Sequence, residues 1–131
     1  MSANLLFETP NGQFVSDMIW KIFEAVDPCQ SVENLCHLSS EIFRVGTVDY
    51  SLSKYDRVHV LGFGKAVLAM ALGITEVLGN RIASGFLITK HYDDKMQAML
   101  PDSITISKGN HPVPGKDTFE SSAELVQYVK G

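Results

Sequence analysis

The sequence predicts an α/β fold, an open and mainly parallel sheet flanked by helices, in a single domain over residues 1–131. Three observations predict it. Short β-prone runs, "VHVL", "GFLIT" and "ITIS", alternate with stretches of helical period or composition. The segment between the first two runs is long enough for a helical crossover, so those strands should lie parallel. Two further helical stretches precede the alternation. An apolar fraction of 45% against 20% charged lets a chain of 131 residues bury a real core.

Each element has its own signal. Residues 11–26 read as a helix, with Phe14, Val15, Met18, Ile19, Ile22, Phe23 and Val26 at i, i+3, i+4, i+7 spacing. Asp27-Pro28 stops it, because a residue before proline avoids the helical region. Ser31 is placed to cap a second helix over residues 31–38, with Glu33 in its first turn. Cys29 and Cys36, seven apart, would share one face of a helix as small core residues of a reducing compartment. Residues 42–45 suggest a short strand and 46–55 a surface connection. Residues 58–61 form the first strand of the alternation. Residues 65–78 look helical from alanine content and lack of proline, and Gly79-Asn80 ends them. Residues 85–89 and 104–107 are the second and third strands, separated by a polar loop with a helical centre at 91–101. "GNHPVPG", residues 109–115, excludes regular structure. Asp117 and Glu120 have the spacing of a capping box for a last helix over 118–129. The alternation calls for a further strand after that helix. An unpaired sheet edge there would favour a homo-oligomer.

A net charge of −4 argues against a nucleic-acid binder. The longest apolar run, residues 66–74, falls well short of the about 20 that a membrane-spanning helix needs. The first ten residues have neither the basic segment nor the apolar core of a signal peptide, which makes the cytoplasm the default location. His37, His59 and His91 have no metal-ligand spacing, and Asp93-Asp94 reads as a solvated pair.

The chemistry centres on Gly62-Phe63-Gly64-Lys65. A phosphate-binding P-loop needs G-x-x-x-x-G-K-[ST]; here the glycines are two apart and Ala66 stands where a hydroxyl would hold Mg²⁺. A dinucleotide fingerprint needs G-x-G-x-x-G and an acid near the end of the next strand. Here Val67 takes the third glycine position, and the strand ends Thr89-Lys90-His91. Anion capture at a helix N-terminus remains, in competition with a plain solvated lysine. A cation there opposes the helix dipole unless an anion offsets it. The strand-end surface should also receive Lys90, His91 and the loop carrying His111. A stripe of small residues, Ala66, Ala69, Gly73 and Val77, would let the helix approach the sheet closely.

These motifs together resemble the N-terminal part of the class II glycerate kinases, some of which are labelled hydroxypyruvate reductases. That family's V-x-G-x-G-K-A is matched by Val60, Gly62, Gly64, Lys65 and Ala66. Its R-x-x-x-G-x-x-x-T-K is matched by Arg81, Gly85, Thr89 and Lys90, and its H-P-x-P by His111, Pro112 and Pro114. "FEAVDPCQSVENL" is similar to its first helix and the turn after it. The family usually has glycine directly before the histidine, where this chain has Asn110. The resemblance implies a Rossmann-like domain of a two-domain phosphotransferase. That enzyme would move phosphate from ATP to D-glycerate with Mg²⁺, its second domain lying beyond Gly131. It further implies Lys65 as the catalytic anion contact, with Gly62, Gly64, Lys90 and His111 binding substrate. The alternatives are a non-catalytic anion-binding or subunit-docking domain, and a reductase.

Overall fold

The computed structural model describes residues 10–90 and 93–131. Its centre is a parallel sheet of three strands in the order β4 (Val58–Phe63), β5 (Ile82–Thr89), β6 (Ile104–Lys108). Both pairings are parallel, as the crossover length requires. The connections are helices α3 (Val67–Leu78) and α4 (Asp94–Met99), and α5 (Lys116–Lys130) follows β6. Helix α3 lies on one face of the sheet, where Val67, Leu68, Ala71 and Leu72 pack with Leu87, Leu100 and Ile104. Helix α5 lies on the other, where Tyr128 meets the ring of Phe86. Adjacent residues of a strand point to opposite faces, so Phe86 and Leu87 serve opposite layers. That makes β5 the doubly covered strand, and Leu87 is 0% exposed.

Helices α1 (Gly12–Ala25) and α2 (Pro28–Leu35) precede a small antiparallel sheet of β1 (Cys36–Ser39), β2 (Ile42–Val45) and β3 (Val48–Ser51). Only β2 was expected here, so the fold has two open sheets. The second helix ends at Leu35 because the chain turns into β1. It is capped by Asp27, whose carboxylate accepts from the Gln30 amide at 2.9 Å, and Pro28 takes the first helical position. Cys36 therefore sits in a strand, and the two cysteines do not share a helix face. Both hairpin loops are two residues long, with left-handed backbone at Ser40 (φ 55) and Gly46 (φ 58). Arg44 and Asp49 face each other across β2 and β3, the guanidinium holding the Asp49 carboxyl below its usual range. Leu52 joins Leu78 and Ile82 in a second apolar cluster that seats this sheet against the end of α3. Glu41 anchors it further by accepting from Arg81 Nη1 at 3.0 Å.

The small-residue stripe of α3 serves a different neighbour from the one expected. A Cβ at Gly73 would lie 2.5 Å from the Cys29 carbonyl oxygen and 3.1 Å from Val32 Cβ. The stripe lets α2 approach, while the larger residues of α3 face the sheet. The capping box expected at Asp117 and Glu120 does not form: α5 begins two residues earlier, at Lys116, with Gly115 as its N-cap. Helix α1 keeps its apolar stripe on the surface, with Phe14, Trp20, Ile22 and Phe23 exposed. No described helix is long and apolar enough to cross a membrane.

Candidate functional site

The site is built where β4 and β5 end. After Phe63 the chain turns at Gly64, whose φ of 118° is open to glycine and strained for other residues. The Gly64 amide donates to the Ile88 carbonyl at 3.0 Å, which stitches the turn to the neighbouring strand. Helix α3 then starts from Ala66 with no side-chain cap and no acid in its first turn. Its leading amides and the positive end of its dipole thus face outward without a side-chain acceptor. Lys65, exposed, stands directly in front of them.

The second wall comes from β5. Thr89 is 1% exposed at the strand end, and Lys90 follows it onto the surface. The third wall is the 109–115 loop, tied down by the Gly109 amide donating to the Thr89 carbonyl at 2.8 Å. A Cβ at Gly109 would come within 3.0 Å of Ile88 Cγ2, so glycine lets the loop lie flat on the strand. The loop carries His111, joined to Pro112 by a cis bond, and ends in α5, whose Thr118 also reaches the pocket.

Gly64, Lys65, Lys90 and His111 thus line one pocket of about 160 Å³. It is smaller than the about 300–1,000 Å³ of sites for drug-sized ligands, and a second hollow of about 360 Å³ adjoins it at Lys65, bordered by Asp93. The charged lining of the smaller pocket is wholly basic. Asp117, nearby, is engaged by Asn110 Nδ2 at 3.0 Å and by Lys108 Nζ at 3.4 Å. Gly62 is not at this pocket. A Cβ there would lie 2.6 Å from Val67 Cγ2 and 3.4 Å from Leu87 Cδ2, so its place in β4 is set by close packing of the helix. His91, expected beside Lys90, lies outside the described residues. Among the described residues, no three His, Cys, Asp or Glu side chains gather as a metal site would need.

Two features were not found by sequence reasoning. An apolar groove of about 640 Å³ runs between α2, α3 and the free edge of β4, lined by Val32, Phe43, Leu61, Met70 and Ile74 among others. On the α5 side of the sheet His59, which also borders the groove, forms a polar triangle with Ser84 and Tyr128, its Nδ1 3.0 Å from Ser84 Oγ and 2.8 Å from the Tyr128 hydroxyl. The alternation along β4 and β5 put His59 and Ser84 on one face, but their link to α5 is a tertiary contact. The thiols are poorly suited to chemistry. Burial, then a hydrogen bond to Glu33, pushes Cys29 up to about 11, and burial raises Cys36.

Fold and pocket together define an open α/β domain with a small, basic pocket beyond the carboxyl ends of its strands, the position where such sheets bind ligands. Residues 14–131 match the family described as domain of unknown function DUF4147, and the chain belongs to that family. The kinship expected from the motifs, with the N-terminal domain of the glycerate 2-kinases, is thereby shown. A curated relative, D-glycerate 2-kinase of Thermotoga maritima, is 32% identical over 74 residues, covering 56% of this chain and 17% of the relative. In fold, the chain is similar to the crystal structure of the PH0495 protein from Pyrococcus horikoshii OT3. The TM-score is 0.72 at 20% identity, over 90% of this chain and 25% of that one. The chain spans a quarter or less of the length of either.

Proposed function

We propose that this chain is the Rossmann-like, anion-holding portion of a cytoplasmic glycerate 2-kinase-type phosphotransferase. The complete enzyme would transfer phosphate from ATP to D-glycerate, giving 2-phosphoglycerate. The observation that carries the reading is the convergence of Lys65, Lys90 and His111 on one pocket in front of the uncapped α3. Phosphoryl transfer is chiefly positioning and charge stabilisation, which is what such a pocket supplies. In this role Lys65 neutralises the carboxylate or the transferring phosphoryl group, the α3 amides donate to its oxygens, and Lys90 and His111 close the far side. ATP and Mg²⁺ belong to this reading only through the kinship with glycerate 2-kinase. Among the described residues no three His, Cys, Asp or Glu side chains gather to hold the metal, and the basic lining of this pocket does not suit a divalent cation.

The test is ATP-dependent phosphate transfer to glycerate by the whole protein, compared with its Lys65→Ala variant. Loss of most of the activity with glycerate binding weakened supports the assignment; an unchanged rate removes Lys65 from it. A second reading, a subunit-docking domain, draws on the apolar groove and the exposed face of α1. Turnover by the whole protein excludes it as the sole role. A reductase is disfavoured by Val67 at the third glycine position of the cofactor motif.

A further inference from the structure

Helix α5 begins after a residue without a side chain, so its first-turn amides need an acceptor from elsewhere. Asn110 provides one from eight residues upstream. Its Oδ1 accepts from the Thr118 amide at 3.1 Å, and its own amide donates to Thr118 Oγ1 at 2.7 Å. This is the exchange of a capping box, made across a loop instead of within one turn. Its Nδ2 also donates to Asp117 Oδ2 at 3.0 Å, so every polar group of the side chain closes the same loop. The fit depends on Gly115. A Cβ there would lie 2.9 Å from Asn110 Oδ1 and 3.1 Å from Cγ. On the other side, the Gly109 amide is held by Thr89. The backbone leading into His111 is therefore fixed at both preceding residues. The motif this loop resembles has glycine where Asn110 stands, and glycine has no side chain with which to make the clamp.

We propose that Asn110 is a positioning residue: it caps α5 from outside the helix and so holds His111 at the anion pocket. Its effect on binding rests on the pocket read above; its effect on His111 does not. Opening the clamp lets the loop sample states in which His111 is away from the pocket, and affinity falls by the fraction of time it is away.

The test uses the full chain with inorganic phosphate as the probe. Asn110→Gly should weaken phosphate binding about two- to fivefold, between the small loss seen when glycine replaces a capping side chain and the full loss of a cap. It should also shift or broaden the His111 ring resonances in ligand-free protein. Gly115→Ala, which leaves residue 110 unchanged but pushes its side chain aside and keeps a backbone (φ −133°) that alanine accepts, should do the same. The double variant should be no worse than either single one, because both break one contact. Unmoved His111 resonances in both variants overturn the inference, as does additive weakening in the double variant. If Lys65→Ala leaves phosphate binding unchanged, the pocket reading fails instead, and the ligand-free resonances still decide the role of Asn110.

Discussion

Replacing Lys65 by alanine should have two effects of opposite sign. In the ligand-free protein Lys65 sits just ahead of the α3 N-terminus, no acid occupies the helix's first turn, and no carboxylate among the described residues pairs with it. Removing a cation from that position should stabilise the fold by about 0.3–1 kcal/mol. For a domain of this size that is a rise of roughly 1–4 °C in Tm. With an anion bound the balance reverses. Two unit charges about 4 Å apart attract by about 1 kcal/mol in bulk water and about 4 kcal/mol at an effective dielectric of 20. The pocket is open and Lys65 is exposed, so the lower half of that span applies. A loss of about 1–2 kcal/mol is a fall in phosphate affinity of roughly five- to thirtyfold. Calorimetric titration with inorganic phosphate at low salt, beside thermal unfolding of ligand-free protein, reads both effects. Raising the salt to about 0.5 M should shrink the affinity difference by screening. Unchanged affinity together with a lowered Tm would refute the reasoning, since Lys65 would then be a structural residue with no anion to hold.

Other perturbations test the frame around the pocket. Gly64→Ala has open space for its methyl group but imposes a left-handed backbone on alanine. Denaturant unfolding should show a loss of about 1–2 kcal/mol, with phosphate binding weakened as the turn distorts. Gly73→Ala pushes a Cβ into the Cys29 carbonyl, and a loss of about 1–3 kcal/mol is expected, with no change at the pocket beyond that of global stability. Cys29, its thiol pushed from 9.0 up to about 11, should react with iodoacetamide at pH 8 about a hundredfold more slowly than a free thiol. The same shift has a stability counterpart. The fold favours the protonated thiol, so its contribution is complete below pH 9 and declines as the pH rises towards 11.

Much of the parallel half was legible because its signals are local. Strand β5 has an apolar centre in Phe86, Leu87 and Ile88, α3 follows a glycine turn, and Gly79 (φ 51°) ends α3 where the sequence places a stop. The antiparallel half was largely hidden. Its strands are four residues each, "CHLS" continues a plausible helix, and what decides for β1 is its hairpin pairing with "IFRV", which the helical spacing does not show. The hairpin signal of "VGTV" was available, with glycine at the residue that takes positive φ. At the site, motif spacing brought Lys65, Lys90 and His111 forward, since residues at strand ends in an α/β sheet share an edge. Gly62 shows the limit of that reasoning. A glycine beside a ligand-binding turn and a glycine under a packed helix leave the same mark in a sequence, and only the position of Val67 distinguishes them. The Asn110 clamp was hidden for a related reason: an acid three residues before a glutamate suggests a local cap, and nothing in the spacing shows that the acceptor comes from across the loop.

The most direct measurement is a map of where the anion binds. Isotope-labelled chain titrated with inorganic phosphate should show its largest amide shifts at residues 64–69, with Thr89, Lys90 and residues 109–111 following the same saturation curve. Shifts confined to the apolar groove, or scattered over surface lysines without saturation, would contradict an anion pocket at the strand ends.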